Sequence, residues 1–493
     1  MVGFTQIPQN LKTTLFYAEV DNSRANSGTA GDLRTLIIGQ KNAGGDLPEN
    51  IPAILESLPW LQARAGRGSM LALQAEAYRK RDRTGTAFVL PLADNTAGGA
   101  ASAQLTVTAV PTAVGTDSLY VAGRRVQVAV SPTQTPTQIA AAYAAAINAA
   151  GDLPVTASAA AAVVTVTARA KGEIGNGISL VRNYLGTLGG EVAPNGLAVT
   201  LGTMSGGTAN PDLAAALANL NDEAFEFYVL PYTDTTSLNT LRDHLAARWS
   251  WDKMLYGGAF SALASTLAGA TTFSEARNDQ HMVCLPVNGS PTPAWLIGAS
   301  LAGSCAASVR VDPGLPLHGL PVDMLAPPRE KRFGVGDRNT LLNNGLSGYV
   351  VQADGTVLTD TLVTTYRLNG QGAPDDSYLY PETLYLLAAA IRRLKNGLTS
   401  RFGRFKLASA GTRFRPGSNI VTTAVLRDWI LGEYRRMESE GLVQEYDRFA
   451  EALVVERNSA NRCRVDGLLP IIPIDQFRQF AANIQFRKSA EVL

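Results

Sequence analysis

The feature of this 493-residue chain that most restricts its fold is an alternation of strands and helices that stops and later resumes. Apolar runs at residues 33–39 and 86–91 predict strands, and Ser69 is a good N-cap for a helix between them. The alternation returns near residue 210. Since strands that alternate with helices form a parallel or mixed sheet covered by helices, the sequence predicts an α/β domain.

The interruption, residues 91–207, differs in composition from the chain on both sides. It has only ten charged residues and is dominated by Ala, Thr, Val and Gly. Alternating runs at residues 103–109, 125–130 and 162–168 predict strands, and Thr137 is a candidate cap for one helix. We therefore expect a mostly β domain inserted into a loop of the α/β domain.

The second half of the chain continues the α/β pattern and then changes. Strands are expected at residues 226–231, 253–256 and 281–286, and helices at 235–249 and 295–309. Beyond the Pro-rich residues 314–328, Asp354-Gly355 favours a hairpin with a type I′ turn. A helix should begin at Pro381, with Gly397 as the residue that ends it. Two more strands are predicted at residues 452–456 and 464–469. These elements predict a separate C-terminal α+β domain.

Both ends of the chain carry an alternating strand that has no neighbouring strand in the sequence. A strand without a partner exposes backbone N–H and C=O groups that another chain can pair with. One interpretation is that both strands are donated to copies of the same protein; the other is that each folds back into its own domain's sheet. The candidate inter-subunit strand residues are Thr14, Phe16, Ala18, Val20, Phe480, Ala482, Ile484 and Phe486.

Signatures of catalysis are missing from the sequence. There is no Gly-Lys dipeptide, hence no Walker A loop, and neither a His-Glu-x-x-His nor a Cys-x-x-Cys motif. The three histidines and the three cysteines are widely separated, which argues against a metal site, a catalytic triad or a disulfide framework, and predicts buried thiols. We expect no catalytic residue, no cofactor and no metal.

Charge and hydropathy exclude two further classes of partner. Lys and Arg number 43 against 42 Asp and Glu, so the chain has no overall electrostatic attraction to nucleic acid or to a membrane surface. No apolar run reaches the roughly 20 residues of a spanning helix, and residues 1–30 lack the pattern of a signal peptide. We expect no nucleic-acid binding and no membrane insertion.

One region departs from this charge balance. Between Leu387 and Arg436 there are eleven basic residues, opposed only by Asp428 and Glu433. Three interpretations of this basic run are open: a solvated face, a phosphate-binding strip, or a face that contacts an acidic protein partner. Little aromatic interleaving and a neutral chain argue against nucleic acid.

The chain resembles the tail sheath proteins of contractile-tailed bacteriophages, most closely the Mu-like branch. Four groups of segments carry this resemblance through their order and spacing. The segments are residues 14–25 with 36–41; 139–148 with 153–157 and 170–176; 344–347 with 362–366; and 453–458 with 468–470 and 480–487.

The resemblance implies a structural protein rather than an enzyme. Family members form six-subunit rings that stack around a tail tube and contract to drive the tube through the host envelope. Terminal arms complete the C-terminal domain's sheet in neighbouring subunits, a case of β-augmentation. The expected partners are copies of the chain, the tail tube protein, and baseplate and tail terminator proteins, in a virion assembled in the host bacterial cytoplasm.

Carried onto this chain, the resemblance predicts an α/β core with an inserted, outward-facing, mostly β domain and a C-terminal α+β domain completed by strands from the arms. The limits are residues 1–30 for the N-terminal arm, 31–90 and 208–330 for the core, 91–207 for the insertion, 331–476 for the assembly domain and 477–493 for the C-terminal arm. The predicted tube-facing residues are Arg392, Arg393, Arg427, Arg435 and Arg436. The alternatives are the sheath of a phage-derived particle such as an R-type bacteriocin, or an α/β hydrolase-like enzyme.

Overall fold

A computed structural model describes residues 33–415 and 417–486 of the chain. These residues divide into two compact units. The larger contains residues 33–388, 440–444 and 472–486, and the smaller contains the described residues of 389–439 and 445–471. The domain limits predicted from the sequence stay a prediction.

The larger unit begins with the predicted strand–helix–strand pattern. Ser69 caps the second helix as predicted, because its Oγ accepts the backbone N–H of Ala72 at 3.3 Å. All six residues of the first strand are buried, as expected for a parallel strand covered on both faces. The elements are β1 (Thr35–Gln40), β2 (Ala53–Ile54), α1 (Leu58–Ala65), α2 (Met70–Arg81) and β3 (Ala87–Leu92).

The insertion follows, and its strands form two antiparallel sheets. Their orders are β10-β4-β8-β7 and β6-β5-β9. The elements are β4 (Ala100–Ala109), β5 (Gly115–Val121), β6 (Arg124–Val130), α3 (Pro136–Ala149), β7 (Val155–Ala160), β8 (Val163–Lys171), β9 (Leu180–Arg182) and β10 (Ala198–Leu201). The predicted cap of α3 at Thr137 is wrong. The cap is Thr135, which forms a capping box with Gln138, so Thr137 lies inside the first turn.

The insertion has a hydrophobic core of its own, in which α3 packs on β4, β6, β7 and β8. At its centre, Tyr143 donates a hydrogen bond to the buried carboxylate of Asp117, which Arg182 also binds through two nitrogens at 2.7 and 2.8 Å. The two ends of the insertion lie side by side, since Gly99 N–H donates to Thr208 O at 3.2 Å.

The remaining elements of the larger unit include three strands that complete a six-stranded sheet and two that form a separate antiparallel pair. They are α4 (Ala214–Ala218), β11 (Phe227–Val229), α5 (Thr235–Arg248), β12 (Gly258–Ala264), α6 (Leu267–Glu275), β13 (Met282–Val287), α7 (Ala294–Val311), α8 (Val335–Asn343), β14 (Tyr349–Val351) and β15 (Val357–Thr359). The strand predicted at residues 253–256 is wrong. Met254 there has a positive φ of 50°, which a strand does not allow, and β12 begins at Gly258.

The main sheet has the order β13-β12-β11-β1-β3-β2 and is parallel except at β2. Ile37 at its centre lies opposite Val229 on one side and Val89 on the other. Helices α2 and α7 pack against each other and against β1 and β12. By length and composition α7 could span a membrane, but most of its residues are buried against this sheet, which is typical of a core helix.

The hairpin β14–β15 is confirmed, but its turn is not of type I′. Gly355 has φ of +87°, whereas Asp354 does not have the positive φ that type I′ requires. Gly355 N–H donates to Gln352 O at 3.0 Å and Gln352 N–H donates to Thr356 O at 2.8 Å. This is a three-residue loop with glycine in the left-handed position.

The next helix, α9 (Pro381–Phe402), begins at Pro381 as predicted but does not end at Gly397. A Cβ on Gly397 would lie 2.6 Å from Cζ2 of Trp429, so glycine permits a close approach of two helices here. The later elements are β16 (Lys406–Leu407), β17 (Ile420–Val421), α10 (Thr423–Ser439), α11 (Tyr446–Ala452), β18 (Val454–Arg457) and β19 (Val465–Leu468).

Candidate assembly surface

The C-terminal residues 472–486, here called the terminal segment, form no regular strand with any other part of residues 33–415 and 417–486. The strand predicted at Phe480–Arg487 therefore does not fold back onto the described residues. Its alternating apolar side chains are instead solvated: Phe480, Ile484 and Phe486 are 80, 89 and 85% exposed, and Ala482 is exposed as well. Apolar side chains this large are seldom left so open without a partner.

The first part of the terminal segment is held by residues 440–444 of the same unit. Gln444 N–H donates to Ile472 O at 3.0 Å, and Ile474 N–H donates to Leu442 O at 3.3 Å. Val443 and Pro473 are antiparallel bridge partners between these bonds. The terminal segment is thus docked at its beginning and exposed towards its end.

The N-terminal counterpart, with Thr14, Phe16, Ala18 and Val20, lies outside the described residues.

The antiparallel strands β18 and β19, here called the C-terminal hairpin, belong to the smaller unit. Their register places Val454 opposite Leu468, which are 45 and 64% exposed. Within the described residues the sheet contains only these two strands, so each has an outer edge without a strand neighbour. Because two strands alone are marginally stable in water, the hairpin can accept further strands at these edges.

Some of the arginines predicted to face the tube make contacts inside the fold, and others are exposed to solvent. Arg393 Nε lies 2.6 Å from Glu433 Oε1, and Arg436 Nη1 lies 3.1 Å from Glu433 Oε2. Glu433 is buried and the Arg393 side chain is 28% exposed, so this pair is internal, whereas the Arg436 side chain is 69% exposed and its pair with Glu433 lies at the surface. The sequence showed Glu433 only as one of two acidic residues in a basic stretch, and its burial was not predicted.

The other three predicted arginines, Arg392, Arg427 and Arg435, also differ in exposure and in their contacts. Arg427 Nη2 donates to Ala450 O at 2.7 Å, and the Arg435 guanidinium lies 4.2 Å from the ring centre of Tyr446. Arg392 is half-buried on α9, whereas Arg435 and Arg436 are exposed residues of α10. Of the predicted set, these two are therefore the best placed to meet another molecule.

The groups that carry chemistry elsewhere are buried or dispersed. Burial raises the pKa of Cys284 to about 12 and that of Cys305 well above its ordinary value, so neither is a nucleophile at neutral pH. Cys463 is exposed in the loop of the C-terminal hairpin, so the prediction of a buried thiol is wrong there. Among residues 33–415 and 417–486, no three His, Cys, Asp or Glu residues are grouped to hold a metal ion.

Comparison with known proteins identifies the family of the chain. Residues 206–362 match the phage tail sheath protein central domain, and residues 373–487 match the phage tail sheath C-terminal domain. Over 486 residues the chain is 37% identical to the Mu-like prophage FluMu tail sheath protein of Haemophilus influenzae, covering 98% of this chain and 99% of that protein. The chain belongs to the phage tail sheath family. The predicted tail sheath function and the Mu-like branch are confirmed, and the relatives of this sheath protein are structural proteins.

Solved structures of sheath proteins cover nearly the whole chain at low identity. The crystal structure of the sheath tail protein from Desulfitobacterium hafniense is 13% identical, with a TM-score of 0.48, and the match covers 94% of this chain and 97% of that one. The helical sheath of the anti-feeding prophage in its contracted state is 11% identical, with a TM-score of 0.46, covering 97 and 100%. The described residues of this sheath protein contain both helices and several separate sheets, so its fold is mixed α/β.

Proposed function

We propose that this tail sheath protein polymerises as stacked six-subunit rings around a tail tube through strands donated by its two ends. The observation that carries the proposal is the exposed, alternating end of the terminal segment, residues 480–486. A strand with one apolar face and no strand partner among the described residues gains backbone hydrogen bonds and apolar burial when it joins a sheet.

The C-terminal hairpin is the acceptor that fits this donor. Its two outer edges offer unpaired backbone groups, and its exposed Val454–Leu468 pair offers an apolar surface beside them. Residues 480–486 of one subunit and residues 14–20 of another would extend the hairpin to four strands. Each subunit then both gives and receives strands, which produces a lattice rather than a closed dimer.

Contraction in such a lattice draws on energy stored at assembly. The sequence contains no Walker A loop to bind a nucleotide, so we propose that the extended sheath is a kinetic trap. The donated strands remain paired while the bodies of the subunits rotate and approach. The chain thereby drives the tube through the host envelope and delivers the genome.

We propose that the exposed arginines of α10 contact the tail tube. Arg435 and Arg436 carry charge into solvent, and such contacts set register and association rate more than affinity. Weak charged contacts of this kind can position the sheath and still release it on contraction. The baseplate and a tail terminator would bound the polymer at its two ends, in a virion assembled in the bacterial cytoplasm.

The decisive test compares the full-length chain with a chain lacking residues 1–22 and 479–493, by negative-stain electron microscopy with and without purified tube protein. We expect tubes or stacked rings only from the full-length chain. Particles of the same form and yield from both chains would contradict strand donation. A third chain lacking residues 479–493 alone separates the contribution of the C-terminal strand.

A further inference from the structure

The terminal segment changes character at a single residue, Arg478. Residues 472–474 are half-buried and paired with residues 442–444. Every residue from Gln479 to Phe486 is exposed. Arg478, at the junction, has a side chain that is only 16% exposed although both of its neighbours are exposed residues.

Arg478 is held by an acidic and an aromatic side chain. Its Nη2 lies 3.0 Å from Oε1 of Glu382, a residue of the first turn of α9 that is fully buried. Its guanidinium lies 3.9 Å from the ring centre of Tyr380. Arginine is the residue best suited to such a place, since its planar cation pairs with a carboxylate while stacking on an aromatic face.

Glu382 connects this arginine to a third part of the same unit. The same Oε1 accepts the backbone N–H of Leu317 at 2.8 Å, from the loop that follows α7. Its Oε2 has no hydrogen-bond partner among the described residues. A buried carboxylate with one unpaired oxygen depends on its counterion, so the position of Arg478 is strongly constrained.

We propose that Arg478 is the anchor of the C-terminal arm, a positioning residue that fixes where and in which direction residues 479–486 leave the subunit. This inference rests on the proposed strand donation and adds how the donated strand is attached. A pull along the arm is transmitted through the Arg478–Glu382 pair to the first turn of α9 and to the loop at Leu317. Without the pair, it would act on the contacts that dock the root: two backbone hydrogen bonds between residues 472–474 and 442–444, and those that Gln444 Nε2 donates to Pro473 O at 3.1 Å and Asp475 Oδ2 at 3.0 Å.

The arm is therefore divided into a docked root, residues 472–478, and a donated tip that begins at Gln479. Because Arg478 holds the junction in place, the tip turns about residue 478 when subunits move. A buried ion pair suits this role because it holds only in one geometry, so it specifies direction as well as attachment.

The test uses the full chain with Glu382→Gln and Arg478→Gln combined. Removing both charges leaves no uncompensated buried ion, and the glutamine at 382 keeps an acceptor for Leu317 N–H. The control is Arg448→Gln, which removes an exposed pair with Glu445. Hydrogen exchange is followed at the amides of Gln444 and Ile474, whose bonds dock the root.

We expect exchange at these two amides to become about tenfold faster in the double variant, which corresponds to about 1.4 kcal/mol of local opening free energy. The polymer yield of the double variant should also fall, while its melting temperature should match the parent. The control variant should match the parent in exchange rate and in polymer yield. Parental exchange and parental polymer yield in the double variant would overturn the anchor.

A rescue experiment separates positioning from stability. A disulfide between Val443→Cys and Pro473→Cys, on a Cys463→Ser background, fastens the root where it is already bridged. Oxidation fastens residue 473 but leaves the direction of the chain at residue 478 free, so it should restore slow exchange at the Gln444 and Ile474 amides of the double variant without restoring polymer yield. Parental polymer yield after oxidation would show that attachment of the root is sufficient and would overturn Arg478 as the residue that sets the direction of the tip.

Two further outcomes are distinguishable. Normal polymerisation of the chain lacking residues 479–493 would refute strand donation itself. If only the role of Arg478 is wrong, that truncated chain still does not polymerise, but the double variant polymerises as the parent does. If the double variant does not fold, Arg478→Lys replaces it. Lysine keeps the charge opposite Glu382 but loses the planar contact with Tyr380, so exchange should still accelerate, and parental exchange would overturn the proposal.

Discussion

The alternation of the terminal segment gives a prediction that depends on which face of the strand is changed. Phe480 and Ile484 lie on one face and Gln479 and Gln485 on the other. If the apolar face is buried in a neighbouring subunit, then Phe480→Ser and Ile484→Ser should weaken polymerisation. Gln479→Ser and Gln485→Ser alter the same backbone by a similar amount but should have little effect.

The expected size of the effect follows from the exposures. The side chains of Phe480 and Ile484 are 80 and 89% exposed in the single chain, so almost all of their surface is available for burial. Burying one such side chain contributes about 1.5–3 kcal/mol. Since about 1.4 kcal/mol is a tenfold change in an equilibrium constant, each serine should raise the critical concentration for polymerisation by roughly 10- to 150-fold.

The assay is sedimentation of polymer over a range of protein concentrations, with electron microscopy of the pellets. Because both side chains are already solvated in the monomer, the melting temperature of each variant before assembly should match the parent. Equal critical concentrations for variants of the two faces would refute the reasoning. A loss of melting temperature in the apolar-face variants would show that these residues pack within their own chain.

Three other predictions follow from contacts in the body of the protein. Glu433→Ala should lower the free energy of unfolding by about 1–3 kcal/mol in denaturant titrations, chiefly because the half-buried Arg393 loses its partner, while the exposed Arg436 contributes little; a value near zero would contradict this. Arg435→Glu with Arg436→Glu should impair assembly on the tube but leave tube-free polymers intact, as seen by electron microscopy; normal assembly on the tube would exclude tube contact by these residues. Burial lowers the pKa of His244 to about 4, so the unfolded state binds more protons between pH 6.5 and 4. Stability should therefore fall on acidification through this range, by up to about 3 kcal/mol from this group, and His244→Gln should reduce the slope in pH-dependent denaturation.

Local signals in the sequence predicted those elements whose causes are local. The Ser69 cap, the apolar alternation of the parallel strands and the Asp354-Gly355 hairpin all depend on neighbouring residues, and each is present. Some errors were local, since the cap of α3 is Thr135 rather than Thr137 and the Asp354-Gly355 turn is not of type I′. Another arose where a distant contact decides the outcome. Gly397 is a good helix terminator by itself, but Trp429 packs against it and the helix continues.

The candidate assembly residues also divide into those that a local pattern in the sequence indicates and those that it does not. The exposed apolar face at residues 480–486 follows from a period of two, which the sequence displays directly. The Arg478–Glu382 pair joins residues 96 positions apart, and no local pattern indicates it. Glu433 could have been suspected, since an isolated acid among many arginines on a helical face has an obvious set of partners, but its burial depends on the packing of α10.

The adjacent ends of the insertion have a consequence for the order in which this chain folds. Gly99 and Thr208 are 109 residues apart in sequence yet hydrogen-bonded, and β1 pairs with β3 before the insertion and with β11 after it. Closing a flexible loop of that length costs about 4 kcal/mol of chain entropy. If the insertion folds first, on its own core, it brings its two ends together and this cost no longer opposes the pairing of β1 with β11. The insertion then holds the two parts of the central sheet together during folding, and mutations that destabilise the insertion should slow the formation of that sheet.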